Sequence, residues 1–264
     1  MQRQITVLVV IDPSQQYHPA LDRALLLAQR AHGDATAKMV FVVTPFQQPL
    51  QLSSAVLCTS DWLKENIHDK LVNSHVDYSV ILGWGSSSND IIIKAAKDLQ
   101  ASLTIAPYYD QPSGRILSDE KWKLLRESTN PILIASRPPA NHAGRMLCTL
   151  KTQDPSYDER NKRILDTAAK FATIFGLETH IVNAYEDSLQ YPDRGKIAAL
   201  SGVPNERIHV KLGEPQEVIC DVANEINADL ILIASLQRKG LKGALRGNMI
   251  EKIIERVDRD VLMI

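Results

Sequence analysis

The chain has 264 residues, of which 44% are hydrophobic and only 5% aromatic, and its formal net charge is -1. This length suits one large or two ordinary domains, and the aliphatic composition favours a helix-rich or α/β core over an aromatic-rich β-sandwich. The near-zero charge argues against a nucleic-acid protein that works through a basic surface and against an anchor on anionic membranes. No apolar run approaches the roughly 18 residues of a membrane span. The first residues enter a strand pattern directly, so no signal peptide is expected.

Short apolar runs alternate with amphipathic patterns along the first half of the chain. A continuous apolar run is typical of a strand buried on both faces of a parallel sheet, and three- and four-residue spacing is typical of a helix. In chain order the predicted strands are 7–12, 39–43, 78–82, 103–106 and 132–135. The predicted helices are 20–28, a variable one between Val56 and Leu71, 91–99, and 119–127 with Ser118 as its N-cap.

The same order of elements recurs in the second half. The predicted strands are 146–150, 180–185, 208–212, 230–233 and 261–264, and the predicted helices are 164–174, 196–200, 217–226 and 248–256. Individual positions also correspond, because Ala101 and Ala228 each precede a fourth strand. The stretch between the halves is rich in Pro and Gly, which is typical of a linker. We therefore predict two α/β domains, 1–139 and 145–264, joined by residues 140–144.

Three cysteines and seven histidines are scattered through the chain without the spacing of a metal site. Reduced thiols in a cytosolic protein are the expected state, with a lone catalytic cysteine as the alternative. Cys148 lies in a strand run and Cys220 on a helix face, so both are predicted to be small core residues. The histidines are interpreted as surface or packing residues.

Several stretches resemble tandem members of the universal stress protein family, above all its two-domain E type. In the first half the resemblance rests on Val9–Pro13 with Pro19–Ala24, and on Trp122 with 124–126 ahead of 131–133. In the second half it rests on 180–185, 213–219 and Gly247-Asn248 with Glu251. The resemblance covers nearly the whole chain and thins at 45–54 and 186–195, and the second of these segments is shorter than in the family.

This resemblance implies the fold and a broad function. Each half would be a Rossmann-like domain of the adenine nucleotide alpha hydrolase type, with a five-stranded parallel sheet of order 3-2-1-4-5 and helices on both faces. Such domains pair through their last strands in many relatives, so the two halves would form an intramolecular pseudo-dimer, and a homodimer of the chain stays open. The family serves stress survival in the bacterial cytoplasm, and no enzymatic reaction is common to it.

The first half keeps only part of the nucleotide pocket that the resemblance implies. Asp12 stands at the end of strand one, and Val43 falls where the family packs adenine. After strand four, however, Pro107-Tyr108-Tyr109 replaces the glycine motif that brings backbone amides close to phosphate. ATP is therefore not expected here, and Asp12 has a turn cap as its alternative role.

The second half keeps a different part of the pocket. Gly247-Asn248 matches the end of the phosphate motif, while Ala234 and Gln237 replace its first two glycines and Lys151 replaces the acid. Two glycines and four cations lie between Gln237 and Arg246, ahead of a helix, and this combination can hold an anion or an ATP- or AMP-like nucleotide. The alternative is an exposed basic loop. The candidate residues of this half are Ala184, Ala234, Gln237, Arg238, Gly240, Lys242, Gly243, Gly247 and Asn248.

Three hypotheses for the function follow. The first is a non-enzymatic cytoplasmic stress protein with degenerate pockets that acts by binding protein partners. Neither nucleic acid nor a membrane is expected among its partners. The second is a nucleotide-using enzyme, either an ATPase or a self-phosphorylating protein, although the chain has no P-loop, no G-x-G-x-x-G and no G-x-S-x-G motif. The third is a carrier of an apolar molecule in a crevice near Tyr191.

Overall fold

The computed structural model describes residues 3–30, 37–47, 58–72, 74, 76–84, 87–109, 119–136, 144–234 and 249–264. These residues divide into two compact units, the first containing the described residues up to Ser136 and the second those from Gly144 onward. The predicted linker, 140–144, lies outside the described residues except for Gly144. Both units have the predicted α/β class with parallel strands.

The first unit alternates strands and helices. Its strands are β1 (Arg3–Ile11), β2 (Ala37–Gln47), β3 (Asp77–Val80), β4 (Gly83–Trp84), β5 (Leu103–Pro107) and β6 (Ile132–Ala135). Its helices are α1 (Pro19–Arg30), α2 (Ser60–Leu63), α3 (Asp69–Leu71), α4 (Ser88–Asp98) and α5 (Asp119–Glu127). The parallel pairings give the order β3-β2-β1-β5-β6, with β4 paired to the end of β2.

The second unit repeats this pattern. Its strands are β7 (Arg145–Thr149), β8 (Glu178–Tyr185), β9 (Ile208–Leu212), β10 (Leu230–Ile233) and β11 (Asp260–Met263). Its helices are α6 (Asp158–Phe175), α7 (Arg194–Ser201), α8 (Pro215–Glu225) and α9 (Met249–Arg256). The pairings give the order β9-β8-β7-β10-β11, all parallel.

The middle strand of each unit forms the centre of its core. Residues 7–11 of β1 are at most 2% exposed, and Met146, Leu147 and Cys148 of β7 are fully buried. A strand with both faces covered buries every side chain, which is why these runs are apolar without alternation. All three cysteines are free and buried, and burial raises the pKa of the Cys148 thiol. The predicted core positions of Cys148 and Cys220 are confirmed.

The third strand is shorter than predicted. It ends at Val80, while Ile81 and Leu82 are exposed, and the chain then pairs with β2 again through Gly83–Trp84. The chain therefore forms a second short strand, β4, directly after these two residues. Helix α4 follows, and the Ser87 hydroxyl caps it by accepting a hydrogen bond from the Asp90 amide at 3.3 Å. Ser118, the predicted cap of α5, lies outside the described residues.

Two helices of the second unit end at glycines in the left-handed region. Gly176 follows α6 with φ of 63°, and Gly202 follows α7 with φ of 67°. The Gly202 amide donates to the Ala198 carbonyl at 2.8 Å, which closes the last turn of α7. Residues with a Cβ are disfavoured in this conformation, so both positions favour glycine.

Replacing Gly202 by alanine is expected to lower the free energy of unfolding by about 1 kcal/mol, because the left-handed conformation is costly for an L-residue with a Cβ. The loss would come from the backbone alone, since nothing lies within 4 Å of an added Cβ. Urea unfolding followed by circular dichroism measures it. Gly202→Asn is the matched control and should lose less, because asparagine tolerates this conformation. An equal loss in both variants would contradict the explanation.

Candidate functional site

Ligands of open parallel sheets bind beyond the carboxyl ends of the strands, where the strand order reverses. This point lies between β1 and β5 in the first unit and between β7 and β10 in the second. Of the predicted site residues, Asp12, Val43, Ala184 and Ala234 are described at or near these ends. The others lie outside the described residues; they are Gln237, Arg238, Gly240, Lys242, Gly243, Gly247 and Asn248.

Asp12 directly follows β1 and closes a turn. Its Oδ1 accepts hydrogen bonds from the Ser14 amide at 2.9 Å and from the Ser14 hydroxyl at 2.6 Å. Its carbonyl accepts a further bond from the Gln15 amide at 3.2 Å. Asp12 therefore has the turn-capping role that was its alternative, and its carboxylate already has partners in the chain.

The carboxyl end of β5 does not present amides to a ligand. Pro107 has no amide hydrogen, and the Tyr108 amide donates to the Ala135 carbonyl at 2.9 Å, which extends the ladder with β6. Tyr108 is only 4% exposed. Burial raises the pKa of the Tyr109 hydroxyl, and the nearby charge of Asp12 raises it further. Two bulky residues thus stand where a phosphate site needs close backbone approach.

Val43 lies in β2, where its backbone pairs with Val9 of β1 and Val80 of β3. The structure therefore places Val43 on the strand next to the one that Asp12 follows. The register separates them, because the pairing partner of Val43 is three residues before Asp12. The two residues are on neighbouring strands but not directly opposite each other.

A buried histidine lies just before α1, and the sequence pattern did not single it out. His18 is 1% exposed, and its ring makes an edge contact with Trp62 at 5.6 Å between centroids. Burial lowers the pKa of His18, and the charge of Lys70 lowers it further. The imidazole is therefore neutral at pH 7 and acts as a packing group at the entrance to α1.

In the second unit a network of side-chain amides fills the end of β8. Asn183 is fully buried, and its Oδ1 accepts from the amide and the hydroxyl of Thr152 at 3.0 and 2.9 Å. The Asn183 Nδ2 donates to the Gln153 Oε1 at 2.8 Å and to the Ala184 carbonyl at 3.1 Å. The Gln153 Nε2 also donates to the Ala184 carbonyl, at 2.9 Å. Ala184 thus lies in the crevice region, but its carbonyl is already bonded by the chain itself.

A second buried asparagine holds the loop that follows β7. Asn161 is 2% exposed; its Oδ1 accepts from the Lys151 amide at 3.1 Å, and its Nδ2 donates to the Lys151 carbonyl at 2.9 Å. Both backbone groups of Lys151 are therefore tied to α6. The position of Lys151 is defined by buried bonds, while its side chain reaches the surface.

The Lys151 side chain belongs to a cationic group at the carboxyl end of β7. Its Nζ lies 4.9 Å from the centroid of the Tyr157 ring, and the Arg160 guanidinium lies 4.6 Å from the same centroid. Such distances are typical of cation–π contacts. The first unit has an acid after its middle strand, so the two crevices carry opposite charges at this point.

Sequence comparison finds similarity to universal stress proteins. The Universal stress protein family profile matches residues 178–264. Universal stress protein E of Salmonella typhi is 26% identical over 98% of this chain and 93% of its own length. The Universal stress protein E homolog of Haemophilus influenzae is 24% identical over 97% of this chain and 96% of its own length.

Solved structures show the same fold. A universal stress protein from Archaeoglobus fulgidus superposes with a TM-score of 0.72 at 17% identity, covering 98% of this chain and 95% of that one. A functionally unknown protein from Pseudomonas aeruginosa PAO1 gives a TM-score of 0.78 at 23% identity, covering 98% and 92%.

The fold and the crevice between the middle strands define an α/β protein of Rossmann-like type. Residues 178–264 match the universal stress protein family, and the chain, which has two units in tandem, is similar to Universal stress protein E over nearly its whole length. Its relatives support a role in the stress response. Among the described residues, no helix could cross a membrane and no group of three metal-binding side chains is present.

Sequence reasoning missed the residues that close the second crevice. Thr152, Gln153 and Asn183 come from two segments about 30 positions apart, and only the parallel pairing of β7 with β8 brings them together. The available signal was the polar residue at Asn183 inside an otherwise apolar strand. A buried amide needs partners, so such a residue indicates a polar network.

Proposed function

We propose that this protein acts in the bacterial stress response by binding, without turnover, and that its second unit holds a phosphate-type anion. The observation that carries this proposal is the pair of cations near the carboxyl end of β7, the exposed Lys151 and the half-buried Arg160. The sequence adds Arg238, Lys239, Lys242 and Arg246 between β10 and α9. Because β7 and β10 are parallel neighbours, the chain leaves both strands at the same edge of the second unit's sheet.

The amide network favours a phosphate over a complete nucleotide. A nucleobase that bonded the Ala184 carbonyl would have to displace Gln153 and Asn183, which already donate to it. Asn183 is fully buried, and removing its partners leaves polar groups unsatisfied at a cost of roughly 1–3 kcal/mol each. An ATP- or AMP-like ligand would therefore bind mainly through its phosphates.

The first unit supports a binding role without a nucleotide. The Asp12 carboxylate caps a turn, Pro107 at the end of β5 has no amide hydrogen, and the Tyr108 amide is already bonded to the Ala135 carbonyl. Protein partners, a cytoplasmic location and the absence of catalysis complete the proposal. The three buried, free cysteines fit a reducing compartment.

Replacing Lys151 by glutamate is expected to weaken the binding of pyrophosphate about fivefold, since an exposed ion pair contributes roughly 0.2–1 kcal/mol and the variant adds repulsion. The measurement is the rise in melting temperature with pyrophosphate, and separately with ATP, ADP and AMP. The effect should shrink at high salt, because exposed charges are screened.

The matched control is Lys170→Glu, which reverses an exposed cation on α6 away from the β7 end. It should leave the pyrophosphate response unchanged. If wild-type protein shows no stabilisation by any of these ligands, or if both variants lose it equally, the anion site in the second unit is wrong.

A further inference from the structure

Two histidines contact each other on neighbouring strands of the second unit. They lie near the amino ends of these strands, away from the candidate site. His180 is in β8 and His209 is in β9, where His209 pairs in register with Val182. The Nδ1 of His180 lies 3.2 Å from the Nε2 of His209, and the rings are stacked with centroids 5.5 Å apart. His180 is 8% exposed, so this contact is largely shielded from water.

Glu178 determines which ring nitrogen of His180 carries a hydrogen. Its Oε1 lies 2.8 Å from the His180 Nε2, and its carboxylate also pairs with Arg207 at 3.0 Å and with Arg145 at 3.6 Å. The bond with His180 is the largest cause of a lowered pKa at Glu178, with the charges of Arg207 and Arg145 contributing. An ionised carboxylate only accepts, so the His180 Nε2 donates to it.

This arrangement accommodates zero or one proton on the pair. With both rings neutral, the His209 Nε2 donates to the bare Nδ1 of His180. With a proton added to the Nδ1 of His180, this nitrogen donates to a neutral His209 instead. A second proton leaves two N–H groups pointing at each other across 3.2 Å, and two like charges in contact.

The surrounding charges act against the second proton. Burial lowers the pKa of His209, the charge of His180 lowers it further, and Lys211 and Arg194 add to this. Glu225 at the end of α8 acts in the opposite sense, but it is held in an ion pair with Lys211. The charged groups around the two histidines are therefore four cations, Lys211, Arg194, Arg207 and Arg145, and two carboxylates, Glu225 and Glu178, each held in an ion pair.

We propose that His180 and His209 form an acid-sensitive clasp that holds the end strand β9 to β8 and releases it when both rings are protonated. In the order of the second unit β9 has a partner on one side only, so this clasp joins the last strand of the path to the rest of the sheet. Its opening would expose the edge of β8, which is otherwise covered by β9.

The direction of the pH dependence follows from the linkage between proton binding and the opening of the clasp. The pKa of His209 is lower in the folded protein than its ordinary value, so between the two values the opened form binds the proton more readily. The contribution of the clasp is complete above about pH 6.5 and is lost as the pH falls toward the folded pKa. The Glu178 carboxylate becomes protonated only at lower pH, near and below the ordinary range of a carboxyl group. Mild acid therefore protonates the histidine pair without removing the charge of Glu178.

The test is hydrogen–deuterium exchange of the peptide covering β9 at about pH 7.5 and about pH 5.5, corrected for the intrinsic exchange rate. In wild-type protein the protection of β9 should fall about tenfold, the effect of one pH unit of linked protonation. His209→Gln should abolish this fall, because its amide still donates to His180 and takes no proton. His68→Gln is the control, since His68 bonds the Tyr78 hydroxyl rather than another histidine.

A titration of the histidine ring signals in wild-type protein tests the same idea without a substitution. We expect one ring of the pair to titrate at a clearly lower pH than the other. Two independent titrations near the ordinary value would overturn the clasp. A fall in β9 protection of the same size in His209→Gln as in wild-type protein would overturn it as well.

Discussion

Leu147→Ala is expected to lower the free energy of unfolding by about 2–5 kcal/mol, the range for removing a buried leucine from a packed core. Leu147 is fully buried in β7, the middle strand of the second unit, with β8 on one side and β10 on the other. Closely packed surroundings cannot collapse into the space that the side chain leaves, so a cavity adds to the lost burial. Urea unfolding followed by circular dichroism measures the loss.

Leu189→Ala is the matched control, because it removes the same atoms from a side chain that is 92% exposed. Surface substitutions of this kind usually change stability by less than about 0.5 kcal/mol. Circular dichroism is used rather than fluorescence because all three tryptophans, Trp62, Trp84 and Trp122, are in the first unit and Leu147 is in the second. A stability loss at Leu189 comparable to that at Leu147 would contradict the assigned core.

Asn183→Ala is expected to destabilise the second unit by about 2–4 kcal/mol, because it removes a fully buried amide and leaves its half-buried polar partners unsatisfied. The Thr152 amide and hydroxyl lose their acceptor, and the Gln153 Oε1 loses its donor. The crevice loses the bonds that link the β7 loop to β8. Hydrogen exchange of residues 150–155 should accelerate together with the loss of global stability.

Asn205→Ala provides the comparison for this prediction, since Asn205 is exposed and accepts a hydrogen bond from Arg194 through its backbone carbonyl, which the substitution keeps. It should leave both the unfolding free energy and the exchange of 150–155 unchanged. If Asn183→Ala were as stable as wild-type protein, the buried amide network would not be what closes the crevice.

The fold follows from the sequence because the signals that determine it are local. The runs 7–12 and 146–150 are apolar without alternation, which is typical of a middle parallel strand, and β1 and β7 lie there. The predicted end of the helix over 164–174 is close to the observed end of α6, which Gly176 follows in the left-handed conformation that glycine favours. The extents of the elements were predicted less well. Helix α6 begins at Asp158 rather than at 164 and β1 begins at Arg3 rather than at 7, while β3 ends before Ile81 and Leu82, an apolar pair that continues past the paired strand.

The candidate site was harder to predict from the sequence because its contacts join residues that are distant in the chain. The sequence left two roles open for Asp12, a contact with a nucleotide or the capping of a turn. The hydrogen bond from the Ser14 hydroxyl to its carboxylate identifies the capping role. The contacts of Gln153 with Asn183, and of His180 with His209, require the register of two neighbouring strands. Periodicity predicts which face a residue occupies but not which residue it meets.

The most direct test of binding without turnover is a paired measurement on wild-type protein with ATP: isothermal titration calorimetry for binding and phosphate release for reaction. The account predicts saturable binding that Lys151→Glu weakens, and no phosphate beyond the spontaneous hydrolysis of ATP alone. Phosphate release that increases in proportion to the protein concentration would contradict it and would favour a nucleotide-using enzyme.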